Sequence, residues 1–181
     1  MARGALVGSA AASAAMIAQV VRWLGATEAS QVIQNVSWII PLVQTIHILA
    51  ISVVITAVLL VHLRNIGVAM RSQSKRALAE RFVPLIWYSV CVLLGTGVIL
   101  IVGEPKRELV NPVFQIKMLL LVMALALTAL FERPLRADAL YWDQSAVHRA
   151  GAAMISIVSL ALWVGIIFAG RWIAYYNPGG Y

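Results

Sequence analysis

Apolar positions in this chain run in four long blocks, roughly Trp38–Leu63, Phe82–Val102, Val113–Phe131 and Val147–Tyr175, separated by short polar stretches. A bilayer core about 30 Å thick needs ~20 apolar residues in a helix rising 1.5 Å per residue. Each block meets that length, so the pattern predicts four transmembrane helices. Ser37 is a good N-cap for the first span, with Pro41 tolerated in its first turn. The second span is placed from near Pro84, followed by Trp87 and Tyr88, and carries Gly95 and Gly97, which let a neighbouring backbone approach. The segment Gly103 to Asn111 is short, so spans two and three are antiparallel neighbours, and Asn111-Pro112 is a clean helix start. Glu132 to Gln144 reads as a loop, with Pro134 and a Tyr141-Trp142 pair lying along the membrane interface. The predicted fold is an all-α integral membrane protein, an antiparallel four-helix transmembrane bundle.

Residues 1–36 form a separate N-terminal segment ahead of the transmembrane domain at 37–181. Met1-Ala-Arg-Gly followed by the alanine- and serine-rich Ala5–Val21 resembles a short signal peptide. Alanine, glycine and serine make it a weak spanning candidate. Residues 5–24 are read as a helix at the interface or against a partner, with a fifth span as the alternative. Thr27 to Asn35 predicts a second short amphipathic helix.

Composition sharpens this picture. A 181-residue chain with 62% hydrophobic and 12% charged residues is neither soluble and globular nor disordered, and it has room for one domain. The formal charge of +7 does not point to nucleic acid, because the basic residues cluster at the ends of spans. One side carries Arg64, Arg71, Lys75, Arg76, Arg81, Arg133, Arg136 and Arg149, and the other Arg3, Arg22, Lys106, Arg107 and Arg171. That asymmetry predicts the first side as cytoplasmic, which leaves both termini periplasmic in a bacterial inner membrane. The single cysteine, Cys91, sits mid-span and reads as inert.

The few polar groups inside the spans carry the chemistry. His47 lies about two turns into the first span with Gln44 one turn before it on the same face, and Lys117 lies about a turn and a half into the third. Ionisable residues in lipid are costly and mark candidate functional sites. Lys117 has an alternative reading, snorkelling to the headgroups, since it is only ~7–8 Å deep. His47 has one too, a neutral imidazole bonded to Gln44 or Thr45 that locks helices together. The functional reading is that His47 ligates the iron of a b-type haem between helices, with Lys117 as second axial ligand or propionate partner. Arg107 and Arg171, at the ends of spans two and four, are placed to hold propionates or an anionic partner. His62 and His148, at the opposite surface, form a weaker metal-ligating pair. Three histidines exclude two bis-histidine haems.

Other chemistries find less support. The chain has no Cys-x-x-Cys, His-Glu-x-x-His, phosphate-binding glycine loop or nucleophile elbow. Met70, Met118, Met123 and Met154 are scattered, and the apolar stretches hold no carboxylate for an acidic proton relay.

The segments Trp38-Ile-Ile-Pro-Leu-Val-Gln-Thr-Ile-His47, His62-Leu-Arg64, Gly103-Glu-Pro-Lys-Arg107, Asn111-Pro-Val-Phe-Gln-Ile-Lys117 and Trp163…Gly170-Arg-Trp172 resemble a family of bacterial multi-pass membrane proteins known as a domain of unknown function. The resemblance covers about residues 25–176 and departs at His62, where it implies Asp. In layout alone, a histidine in the first span and a lysine in the third are similar to HemJ-type protoporphyrinogen oxidases, which are haem proteins, and to the membrane domain of CopD copper-resistance proteins. These similarities imply a site at His47 and Lys117. Three functions follow as expectations: a haem-b protein passing electrons between a quinone or periplasmic partner and another redox component, a cofactor-free accessory subunit of a larger membrane complex, and a copper-handling permease.

Overall fold

A computed structural model describes residues 2–138, 140–173, 175 and 176. Its elements are α1 (Ala2–Gly25), α2 (Glu28–Asn35), α3 (Ile39–Asn65), α4 (Lys75–Gly103), α5 (Pro105–Leu109), α6 (Pro112–Ala137), a 3-10 turn (Tyr141–Asp143) and α7 (Ala146–Ile173). Among the described residues there are no strands. Four helices, α3, α4, α6 and α7, are long and apolar enough to cross a membrane. They form the expected four-helix bundle of a multi-pass membrane protein.

Many large apolar side chains on these helices, such as Leu42, Ile48, Leu49, Val98, Leu119, Val122 and Phe168, face outward. That is the distribution lipid demands, since the bundle interior gains little by burying what lipid accepts equally well. The core is correspondingly narrow. Val54, Ala57, Val58, Ile86, Val90, Ala124, Trp163 and Ile166 meet at its centre, one or more from each span. The most extensive packing is α3 on α4 and α6 on α7, with α7 also on α3 and α6 touching α4 lightly. The ring therefore runs α4–α3–α7–α6, which makes α3 and α6 diagonal.

Two span boundaries differ from the sequence reading, for one reason. Hydropathy reports where lipid begins, and a helix does not stop there. The second span does not start near Pro84; α4 starts at Lys75, where the Ser74 hydroxyl accepts a hydrogen bond from the Ala77 amide (3.0 Å). Its polar first turns carry the Arg76–Glu80 ion pair, and Pro84 sits inside the helix on an exposed face. Likewise α6 continues through Pro134 to Ala137, held by the Glu132–Arg136 pair one turn apart. Asn111 caps α6 as expected, accepting from the Val113 amide at 2.9 Å. The first span starts at Ile39, with Trp38 and not Ser37 as its cap.

The two ends of the bundle are closed differently. At the cap end, where α3 and α6 begin, α2 lies on α4 and α3, and α5 links α4, α6 and the end of α1. Thr27 caps α2, and Ser30 is fully buried there, accepting from Gln34 at 3.0 Å. At the loop end, Trp142 does not lie along the interface. It is buried, stacked on Phe131 (centroids 5.6 Å apart) with its indole N–H donating to the Phe131 carbonyl at 3.0 Å. The Lys75 ammonium, 6% exposed, reaches Asp143 at 2.6 Å and pins that turn to α4. Cys91 faces outward instead of packing.

Gly103 is where α2 meets the end of α4. A Cβ there would stand 2.8 Å from Ile33 Cγ2, closer than two carbons can sit. Gly103→Ala should destabilise the protein by about 1–3 kcal/mol through overpacking. Adding Ile33→Ala should recover much of that loss, as read by thermal or detergent unfolding of the single and double variants.

Candidate functional site

His47 projects from α3 toward α4, with its ring against the backbone of Gly97: a Cβ at Gly97 would lie 4.0 Å from His47 Cε1. Its partner is neither Gln44 nor Thr45. The Thr45 hydroxyl donates to the Pro41 carbonyl at 2.8 Å, as serine and threonine commonly do in apolar helices. Gln44 is half-buried one turn away. His47 Nδ1 instead meets Thr96 Oγ1 of α4 at 2.7 Å. Thr96 is buried, and its hydroxyl is also within bonding distance of the Val92 carbonyl (2.7 Å) and the Leu93 carbonyl (3.2 Å). A hydroxyl has one proton and two lone pairs. With that proton directed to a carbonyl, the arrangement that satisfies every group has His47 donating from Nδ1. Nε2 is then an unprotonated acceptor. The outward metal-ligating lone pair of a histidine is held in this way whenever its other nitrogen is fixed by a hydrogen bond.

Lys117 is half-buried on α6, diagonally across the ring from His47. A Cβ at Gly170 of α7 would lie 3.9 Å from its Cε and 4.0 Å from its Nζ, so the amine runs along the glycine face of α7. The charge acts electrostatically on both His47 and Glu108 of α5. Glu108 lies under the cap, and burial pushes its carboxyl above the usual range, an effect partly offset by the Lys117 and Arg107 cations and reinforced by Glu104. The Asn111 side-chain amide ties the start of α6 to the far end of α7, donating to the carbonyls of Ile173 (3.4 Å) and Tyr176 (3.2 Å). His47, Thr96, Lys117 and Glu108 thus form a polar tier within the first turns below the cap.

The remaining predicted residues are placed elsewhere. Arg107 is paired with Glu104 at 2.7 Å. Arg171 donates to the Tyr175 hydroxyl at 2.8 Å and lies over its ring. Both stand at the cap end, engaged by local partners. His62 and His148 do not share a ligand sphere. His62 is 2% exposed, edge-on to Phe131, while His148 stacks on Tyr141 with centroids 4.5 Å apart. The Asn65–Ser156 hydrogen bond (3.1 Å) sets the α3–α7 register and puts His62 level with Ser159, ~16 Å along α7 from His148. Among the described residues no three of His, Cys, Asp and Glu gather to hold a metal ion.

Sequence reasoning missed Thr96 and Glu108. Thr96 lies 49 positions from His47, and nothing in a single sequence gives the register of two helices facing each other. Glu108 stands outside the apolar stretches, where a carboxylate draws no attention until α5 folds it inward.

The raised Glu108 carboxyl has a definite pH signature. Its folded form prefers the proton, so its contribution to stability is present below the ordinary carboxylate range and is lost as pH rises through the raised value. Glu108→Gln keeps the shape and removes the titration. The thermal stability of Glu108→Gln relative to the wild type should therefore be higher at pH 7 than at pH 4, measured by melting both proteins across that range.

Neither the curated proteins nor the solved structures offered a match to this chain. A family model does match, over residues 34–176, which takes in all four spans and the whole polar tier. The chain belongs to that family, a family of unknown function (DUF6644).

Proposed function

We propose that this protein is a haem-b-binding electron carrier of the bacterial inner membrane, with both termini periplasmic, working with a quinone or a periplasmic redox partner. One observation carries the reading: His47 Nδ1 is fixed on the buried Thr96 hydroxyl, which leaves the Nε2 lone pair of this half-buried imidazole available to a metal. A haem ligand needs one nitrogen that is free and one that is anchored.

The donor set fits a haem in chemistry. His47 would hold the haem iron through Nε2, and Lys117 would be a second ligand or pair with a propionate. Gln44 lines the same tier, and Arg107 and Arg171 at the cap end would face propionates or an anionic partner. Bound there, haem supplies one-electron redox chemistry. The chain supplies the orientation of His47, a positive charge at Lys117 and an apolar surround that excludes water. The layout similarity to the HemJ-type oxidases and the CopD membrane domain supports the same pair of residues, and the arginine-rich loops support the orientation.

A second reading, the cofactor-free accessory subunit, is favoured by a different observation. Helix α1 touches the rest of the chain mainly through α5 at its C-terminal end, and Met16, Val20 and Trp23 on it are exposed. Such a helix offers an apolar surface to another membrane subunit. The copper-permease reading has the weaker donor set, since no thioether or thiol is placed beside His47 by any contact described above.

Absorption spectra of the purified protein, oxidised and dithionite-reduced, with pyridine haemochrome quantitation, test the proposal. The expected result is a sharp Soret band and near one haem per chain. His47→Ala should abolish it, and Thr96→Val should weaken haem retention by roughly 10–100-fold, the usual cost of losing the group that orients a ligand. A colourless protein, or full haem in His47→Ala, overturns the reading. Copurification of a stoichiometric partner with a colourless protein would establish the second.

A further inference from the structure

The loop-end half of the bundle holds polar atoms that neither the fold nor the proposed cofactor uses. His62 Nδ1, Ser159 Oγ and Trp163 Nε1 are buried and make no hydrogen bond within the chain. Their residues are 2%, 0% and 2% exposed, so lipid and bulk water are equally out of reach. A buried donor or acceptor left unpaired costs about 1–3 kcal/mol, and in hydrocarbon more. Three together in one seam need an explanation.

They do lie together. The Asn65 amide of α3 donates to the Ser156 hydroxyl of α7 at 3.1 Å, and the two helices run antiparallel. Moving back three residues on α3 and forward three on α7 keeps the same facing surfaces, so His62 stands opposite Ser159. One further turn along α7 brings Trp163, which packs in the central core with Val54, Ala57 and Val58 of α3. The three orphaned atoms therefore sit on two neighbouring turns of one seam, next to a hydrogen bond that already joins the helices.

Ser159 also differs from several other hydroxyls of the spans. Ser52, Thr56 and Thr128 donate to the carbonyl four residues earlier, at 3.0, 2.8 and 3.0 Å. Ser159 does not, and presents its hydroxyl to the seam with nothing bonded to it.

We infer that His62, Ser159 and Trp163 form a buried water site in the α3–α7 seam, holding one water or a short file of them. The chemistry is complementary. The indole N–H can only donate, the serine hydroxyl can do both, and the imidazole nitrogen accepts or donates according to its tautomer. A water needs two to four polar partners, and these are three. A water bridges polar groups that stand too far apart for a direct bond. The site gives His62 a role distinct from metal ligation, and places an exchangeable, protonatable group in the half of the bundle away from the cap.

Radiolytic hydroxyl-radical footprinting of the full-length protein in lipid nanodiscs tests this, because radicals formed from bound water oxidise the side chains around it. Trp142 is the internal standard: it is a buried indole, 7% exposed, whose N–H is already bonded to the Phe131 carbonyl. Trp163 is the less exposed of the two, yet it should be oxidised several-fold faster. Ser159→Val, which removes the hydroxyl and fills its space, should bring the Trp163 rate down to that of Trp142 while leaving Trp142 unchanged. If Ser159→Val disturbs folding, seen as a rise at Trp142, then His62→Leu takes its place with the same expected fall at Trp163. Oxidation of Trp163 no faster than Trp142 in the wild type, or a Trp163 rate that survives the substitution, overturns the site.

Discussion

In hydrocarbon a polar group has no solvent to fall back on, and this constraint organises the whole molecule. Backbone groups are satisfied by making the spans continuous helices. Hydroxyls on the lipid side are satisfied locally: Thr45, Ser52 and Thr56 each turn back to a carbonyl of their own helix. What is left over must be paired between helices, and those few pairings set the register. His47 on Thr96 fixes α3 against α4, Asn65 on Ser156 fixes α3 against α7, and the Trp87 indole on Glu132 (3.3 Å) ties α4 to α6. Apolar packing gives these helices a reason to touch but little reason to choose one register over another, because lipid solvates leucine as well as a neighbouring helix does.

The ends of the bundle obey a different rule, since charge returns there. At the loop end the ion pair of Lys75 with Asp143 and the stack of Phe131 on Trp142 convert what would be a solvated loop into a plug. Arg149 adds a hydrogen bond to the Asp143 carbonyl (3.1 Å), so the basic residues that signal orientation also hold the turn in place. At the cap end α2 and α5 cover the start of α6, and the carboxylate of Glu108 is drawn in beside the Lys117 ammonium. Lys117 is thus only partly a snorkelling lysine. Its amine runs along Gly170 toward the cap, within electrostatic reach of Glu108.

The four spans, their connections and the cap of α6 at Asn111 were readable from the chain because lipid imposes a long, nearly unbroken apolar signal. The same signal misplaced the start of α4 and the end of α6. Helices run on into the headgroup zone, where Ser74 and the Glu132–Arg136 pair, and not hydropathy, decide the boundary. The polar residues were readable as exceptions, which is why His47 and Lys117 stood out. Their partners were not, because Thr96 and Ser159 are unremarkable residues whose importance depends on which way a neighbouring helix is turned. Trp142 shows the limit from the other side. An aromatic pair next to a span suggests an interfacial belt, and only the folded turn reveals an indole spent on the Phe131 carbonyl.

The two polar tiers then differ in a way that bears on what each can do. At the cap-end tier two side chains are fixed by hydrogen bonds, Thr96 on the carbonyl of its own helix and His47 Nδ1 on Thr96. His47 Nε2 is thereby carried on an imidazole whose orientation is fixed through its other nitrogen. In the loop-end seam the balance is reversed, with His62, Ser159 and Trp163 uncommitted beside a single fixed bond. Loose polar atoms in a sealed seam suit small, exchangeable occupants that can reorient among them, and water is the one that meets both donor and acceptor needs. The helix α3 carries both tiers, His47 near one end and His62 near the other, so a shift of α3 against α7 that disturbed the seam would also be felt at the Thr96 contact.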